Sequence, residues 1–529
     1  MGLDSLLNIP VNKNLTGNNL IKIELQASNV IEVYENSINP VEGGVVFIGK
    51  MPDGKYLFLL LNEKHTNLLW DRLVGEEELS CRGQNARRLK KCKLSHVNAE
   101  IIKEVFPFTR AVVIGLTNSI GLGDRLGLAN PGHLRALNGS AFRPVLAQQS
   151  IRELTRTQRT PDEVMDAAVW AVLQEGYKSG FGSDADHLKT IADIDLMMKA
   201  GFTMFTFDPC EYVNNSADTI REDELNSILT SINWDRLDTT SKIIIDKYTE
   251  KQIYISENLS LAPNETDVKR AIIKYGNAIA HLRNLYEHIR NNYPESSFEI
   301  EVSVDETESV TSPFEHFFIA NELKRLGVEF VSLAPRFIGD FEKGIDYKGN
   351  IAVFKQEYLK HLAIVKYFGT YKISLHSGSD KFAVYKVIGS INQAFTHVKT
   401  AGTSYLEALK VVASRRPDLF REILDYARGF YESEKKSYHV SADINKVEEG
   451  KEYSDKELAG LFDSDDVRQV LHVTFGKVLS DKNQDGTFKF KNRILECLNK
   501  NEDFHYELLE KHFKKHLDPF VNLKFGVIK

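Results

Sequence analysis

Side chains able to move protons, bind metal or hold an anion stand at the ends of β-rich runs: Asp208, Glu301, Asp305, Glu306, Arg336, His376, His397, Lys399, His439 and Asp443. In "ISLHSGSDKF" (373–382) an apolar, β-branched run stops at His376 and releases Ser-Gly-Ser-Asp-Lys. Strands usually end in turns chosen for geometry. This one ends in groups that chelate, donate protons or pair with anions. In "FEIEVSVDE" (298–306), Phe298, Ile300, Val302 and Val304 alternate with Glu299, Glu301, Ser303 and Asp305. One face is therefore apolar and the other carries carboxylates and a serine. Buried, those carboxylates need a metal or a lysine.

"GFGSDADHLKTIADIDLMMKAG" (180–201) sets Asp186 beside His187. It reads as an Asp/Gly-rich loop feeding a helix, and adjacent Asp and His can serve as base and metal ligand. Aspartates that merely cap the helix fit equally well. Thr190 and Asp193 make a capping box, so the helix should run from near Ile191 to Gly201. "NSIGLGDRLGLANPGH" (118–133) has glycines at 121, 123 and 127, which is GxGxxxG rather than the dinucleotide GxGxxG. It reads as a flexible loop that brings Asp124, Arg125 and His133 over a site, and arginine suits forked carboxylate recognition. A second loop, "PRFIGDFEKGIDYKGN" (335–350), offers Arg336, Asp340, Glu342, Lys343 and Asp346.

The elements that must position these groups follow a rhythm. β-rich runs are expected at 110–118, 142–149, 203–209, 298–306, 329–335, 371–377, 395–402 and 437–444. Helical patterns separate most of them. Thr160, Pro161, Glu163 and Gly176 punctuate one helix, and Ser312, Pro313, Glu315 and Gly327 another. Repeated strand–helix units predict a (β/α)8 TIM-type barrel, whose reacting groups lie at the C-terminal strand ends. The gap between 209 and 298 should hold a helical insertion before an amphipathic helix near 266–292. The expected organisation is a small β-containing N-terminal region (1–105), a catalytic barrel (106–449) and a helical C-terminal extension (450–529). Around Asp53-Gly54 the N-terminal region reads as a hairpin. Its basic stretch (Arg82, Arg87, Arg88, Lys90, Lys91, Lys93) reads as a solvated helix or loop.

Composition excludes several classes. A net charge of −7 argues against a nucleic-acid or membrane-surface binder. No apolar run approaches the length of a membrane span, and the N-terminus lacks the pattern of a secretory signal or a myristoylation site. Four scattered cysteines fit a reducing cytoplasm and rule out a cysteine zinc cluster. The expected partner is a small molecule, with homo-oligomerisation left open.

"GLGDRLGLANPGH", "GSDADHLKT", "EVSVDETESVTSPFEHFFIANEL", "PRFIGDFEKGIDY", "LHSGSDKF" and "HVKTAGTSYLEAL", in this order, resemble the tagaturonate/fructuronate epimerase family. The resemblance spans roughly residues 110–445. It implies a metal-dependent isomerase of hexuronate catabolism that interconverts D-tagaturonate and D-fructuronate, with fructose–tagatose 4-epimerisation as a related activity. It implies an acid/base at Asp186 with His187 as ligand, and a second acid/base at Glu301, with Asp305 as the alternative. His376 and Glu342 would be further ligands of a divalent Zn, Mn, Co, Ni or Fe ion. The two sugars differ at a carbon β to the ketone, whose proton is not acidic. Without a nicotinamide loop, retro-aldol cleavage and re-addition is the expected route. Arg125, Arg336, Lys381 and Lys399 are candidates to grip the substrate carboxylate, and His439 is a further substrate-binding candidate and the reserve metal ligand. A sugar isomerase, a class II aldolase and a non-catalytic sugar-binding barrel are the competing expectations.

Overall fold

A computed structural model of the chain describes residues 32–62, 67–80, 87–391 and 394–521. The N-terminal region is an antiparallel sheet of β1 (Glu32–Val33), β2 (Asn39–Val41), β3 (Gly44–Met51), β4 (Gly54–Asn62), β5 (Gly75–Ser80) and β6 (Arg87–Lys93). The predicted hairpin is β3–β4, with Met51 opposite Gly54. The basic stretch, where described, is not a solvated helix or loop but the strand β6, paired to β4 and β5. Leu89 and Cys92 bury its apolar positions, and Lys91 meets Glu76 of β5 at 3.0 Å. Cross-strand charge pairing makes a basic run acceptable in a sheet. Arg82 lies outside the described residues.

Eight parallel strands close the expected barrel. They are β7 (Ser119–Leu122), β8 (Arg143–Ser150), β9 (Gly182–Leu188), β10 (Met204–Phe207), β13 (Glu299–Val304), β14 (Ser332–Pro335), β15 (Lys372–Leu375) and β16 (Thr396–Thr400). The insertion before Glu299 holds short helices, a hairpin of β11 (Ile253–Ser256) and β12 (Leu259–Leu261), and the amphipathic helix Glu265–Asn292.

Three expectations about strands are corrected. Residues 110–118 are not the first strand: only Ala111 forms an isolated bridge, to Phe181, while Val112, Val113 and Leu116 stand exposed. The first strand lies within the segment read as a glycine loop. Residues 437–444 form no strand. The eighth strand is instead β9, the segment read as an Asp/Gly-rich loop. Its residues are extended because β8 and β10 pair with it on both sides, and its polar positions find partners inside the barrel.

Local signals fared well. Thr160–Glu163, Thr190–Asp193 and Ser312–Glu315 all form reciprocal capping boxes, each satisfying backbone N–H groups that a helix start leaves open. The helix after β9 therefore begins at Ile191, which fixes the direction in which β9 delivers Asp186 and His187. One apolar cluster joins the N-terminal sheet to the barrel and its helices. A second is built from helices Thr403–Arg415, Pro417–Glu434 and Asp465–Val473, with Phe475, Ile494 and Leu498. The helix Glu502–Leu517 packs on Asn130–Leu137 through Gly132, where an added Cβ would come within 2.9 Å of Leu509. Among the described residues no helix is long and apolar enough to cross a membrane.

Candidate active site

Lys399, on β16, is buried at the centre of a carboxylate cage. Its ammonium lies 2.7 Å from Asp184, 2.6 Å from Asp186 and 2.8 Å from Glu301, and 2.5 Å from the Thr206 hydroxyl. Three strands thus converge on one cation. Burial opposes its charge, yet the carboxylates hold its pKa well above the usual lysine value. Burial likewise works against Asp186 and Glu301, but Lys399 outweighs it and keeps both below the usual carboxylate range. Burial pushes Asp184 up to about 6 despite Lys399. Two ionised carboxylates are thus held in fixed positions against one ammonium.

His376 follows β15 and lies between two carboxylates. Its Nε2 is 2.6 Å from Glu301 and its Nδ1 is 3.0 Å from Asp305. Burial disfavours the imidazolium, but Asp305 and Glu301 raise its pKa to about 9. The His187 ring packs edge-on to it, with centroids 5.1 Å apart. Burial is again outweighed at His187, where Asp186 and Asp208 lift the pKa to about 10. His187 is held at φ 52°, and Ser377, next to His376, also at 52°. Side chains bearing a Cβ rarely occupy that region, and such strain gathers at functional sites.

His187, Asp305 and His376 each offer a ligand atom within 4.8 Å of the others, and His187, Asp208 and Glu306 form an overlapping group. Two imidazoles and a carboxylate are a donor set for a divalent transition metal. The buried His187 Nδ1 and Asp208 Oδ2 face each other at 3.4 Å as a loose ion pair rather than a well-formed hydrogen bond, so the chain does not fully satisfy either atom. The donors therefore fit the expected metal. Glu301 on His376 is the kind of outer partner that orients a ligating imidazole.

Beside this cluster opens a cavity of about 470 Å³, lined by Asp305, Glu306, Arg336, His376 and His439 among others. A larger one, of about 780 Å³, lies around Glu299, Phe330 and Tyr371. It is at the N-terminal end of the strands, away from these groups.

The structure brings together Asp186, His187, Glu301, His376 and Lys399 of the expected residues. It places others elsewhere. Glu342 is outside the cluster, its carboxylate taken by Ser441 and Gln469 at 2.7 Å each. Lys381 and Asp380 are not at the rim. Lys381 is buried and donates to the carbonyls of Glu342, Ile345 and Ser379. Asp380 is buried against His512 and Arg468. Arg125 is buried against Glu153 at 2.9 Å and stacks on Phe475. Asp124 caps the backbone of 126–129, and His133 sits beside Ser404. None of these three overhangs the cavity. Lys399 serves the cage rather than an incoming anion. Arg336 lines the cavity and donates to the Thr307 carbonyl. His439 is exposed and pairs with Asp340 at 3.1 Å. Gly378 allows close approach of the Lys399 carbonyl, 3.0 Å from where a Cβ would stand. Neighbouring backbone, rather than substrate, occupies that space. Asp184 and Thr206 were missed. Thr206 is two residues before Asp208 in an expected strand, so alternation would have found it. Asp184 lies in the segment read as a loop, where no strand period was available.

A closed parallel barrel with a lysine–carboxylate cage beside a histidine–carboxylate group is the architecture of a barrel enzyme. A family model described as "UxaE: tagaturonate epimerase" matches residues 34–520. The "Tagaturonate/fructuronate epimerase" of Thermotoga maritima is 42% identical over 487 residues, covering 92% of this chain and 96% of the relative. Crystal structures of "fructuronate-tagaturonate epimerase UxaE" from Cohnella laeviribosi, native and with one glycerol, match with TM-score 0.85 and 38% identity over 94% of this chain and 97% of theirs. The chain belongs to the tagaturonate epimerase family, and it is an enzyme of the isomerase class.

Proposed function

We propose that the protein interconverts D-tagaturonate and D-fructuronate with a divalent metal held by His187, Asp305 and His376, by cleaving and re-forming a carbon–carbon bond. The observation that carries this reading is the His187–Asp305–His376 group standing against the Asp186–Lys399–Glu301 cage. A metal bound there would supply Lewis-acid stabilisation of charge on the substrate's ketone oxygen. Asp186 and Glu301, both ionised, are the candidates to take the proton from the hydroxyl on the carbon to be inverted. As that proton leaves, the adjacent carbon–carbon bond breaks, giving an aldehyde and an enediolate. The aldehyde turns over, the enediolate adds to its other face, and the proton returns to the new alkoxide. Lys399 keeps both carboxylates ionised and spaced for this exchange.

Incubation of the purified protein with D-tagaturonate should yield D-fructuronate, chelation should stop the reaction, and a divalent transition metal should restore it. Full activity in protein shown to be free of metal sinks the metal assignment. Turnover in heavy water should leave no deuterium on the inverted carbon, since a deprotonation route would place it there. Accumulating three-carbon fragments would instead favour an aldolase.

A further inference from the structure

We propose that Arg152 and Lys343 form the subsite that holds the carboxylate of the sugar acid, with the Tyr438 ring as its wall. This rests on the hexuronate reading above. Of the four cations first expected to grip that group, three are committed elsewhere: Arg125 to Glu153, Lys381 to three carbonyls and Lys399 to three carboxylates. Arg336 lines the same cavity and has one nitrogen on the Thr307 carbonyl, so it stands beside the subsite with part of its fork engaged.

Arg152 and Lys343 both line the cavity that also contains Asp305 and His376. The Arg152 guanidinium lies over the Tyr438 ring at 5.3 Å; Glu306, Glu153 and Asp186 are near enough to favour its charge, but none is in direct contact with it among the described residues. Arg156 donates to the Tyr438 hydroxyl, which holds that ring in place. The Lys343 ammonium donates to the Ser377 hydroxyl at 2.7 Å and pairs with no carboxylate among the described residues. Ser377 directly follows His376, so this charge is anchored one residue from a metal-binding candidate. Of the cavity's three carboxylates, Asp305 is engaged by His376 and Asp340 by His439, while Glu306 lies near Arg152 without contacting it and would share that cation with a bound anion.

A stacked guanidinium offers a planar fork to a carboxylate, and a lysine adds a point charge. The cavity's volume suits a six-carbon acid. An uncharged ketohexose would leave both cations unpaired, which is a basis for discrimination.

Steady-state kinetics test this. Arg152→Met and Lys343→Met should each raise KM for D-tagaturonate about 10- to 100-fold. The change in kcat should be smaller, and metal content per chain should be unchanged. Arg152→Lys should recover part of the loss. Gln at either position gives the same readout if a Met variant fails to fold. An unchanged KM in both variants, or a loss confined to kcat, overturns the proposal. If the wild type does not turn over D-tagaturonate, the functional reading fails instead. The subsite is then decided by calorimetric titration of D-tagaturonate into the wild type and the double variant. Weaker binding to the variant upholds it; equal affinity, or no binding to the wild type, overturns it.

Discussion

Lys399 and His376 both contact Glu301, but removing them should have different consequences. Lys399 compensates three carboxylates that have almost no access to water. Breaking a buried charge network from one side leaves the remaining ions uncompensated, at roughly 3–5 kcal/mol. Lys399→Met should therefore lower the urea midpoint markedly as well as abolish turnover. An unchanged midpoint would mean that the carboxylates are protonated in the fold. His376→Ala should lose metal and activity together while the far-ultraviolet circular dichroism persists, because the barrel's strand pairing does not run through that side chain. Retention of metal and rate by His376→Ala would make it a core histidine.

At the scale of elements, the loop after β15 is tied down from the other end of the chain. His512, on the helix Glu502–Leu517, lies 2.5 Å from Asp380 and 3.0 Å from Glu407. Arg468 contacts Asp380 at 2.5 Å, and the nearby His516 Nε2 is 3.8 Å away. Burial works against the His512 imidazolium, but Asp380 and Glu407 raise its pKa to about 9. A raised folded-state pKa stabilises fully below the unfolded value and loses that contribution as pH rises through the folded value. Stability should thus fall between about pH 6.5 and 9 by an amount on the order of 1–3 kcal/mol. His512→Asn should make that part of the profile shallower in thermal melts, His187 and His376 supplying the rest of the slope, and an unchanged slope in the variant would contradict the lock. Burial pulls Lys381, beside Asp380, down to about 7, while its three carbonyl acceptors suit only the ammonium form.

Across the whole molecule, Glu502 joins regions far apart in sequence. It accepts from Tyr34 at 2.9 Å and meets Lys55 at 2.7 Å and Lys50 at 3.1 Å, so the C-terminal helix is stapled to the N-terminal sheet. Burial alone would raise its pKa, but Lys55 and Lys50 bring it down to about 2. That contribution is present above the unfolded value near 4.5 and is lost as pH falls towards 2. Glu502→Ala should destabilise by roughly 3 kcal/mol and leave KM unchanged, as read from denaturation and kinetics in parallel. A shifted KM with unchanged stability would mean that the staple acts on the site instead.

What the chain determined locally could be read from it directly. Capping boxes at Thr160, Thr190 and Ser312 involve residues three apart, and the alternation through Glu299–Asp305 needs only the period of a strand. From such signals the barrel was legible and Glu301 and His376 stood out at strand ends, whereas Asp186 and His187 fitted a helix cap equally well and were singled out by the family resemblance. Strand β9 was not, because Gly182–Leu188 is polar and becomes a strand only through pairing with β8 and β10 and compensation by Lys399 from β16. The fate of each cation was hidden for the same reason. Lys381, Lys343 and Arg152 look alike as charges in a sequence. Tertiary structure alone decided which would be spent on carbonyls and which would face the cavity, because an ion's partner is set by what the fold brings within a few ångströms.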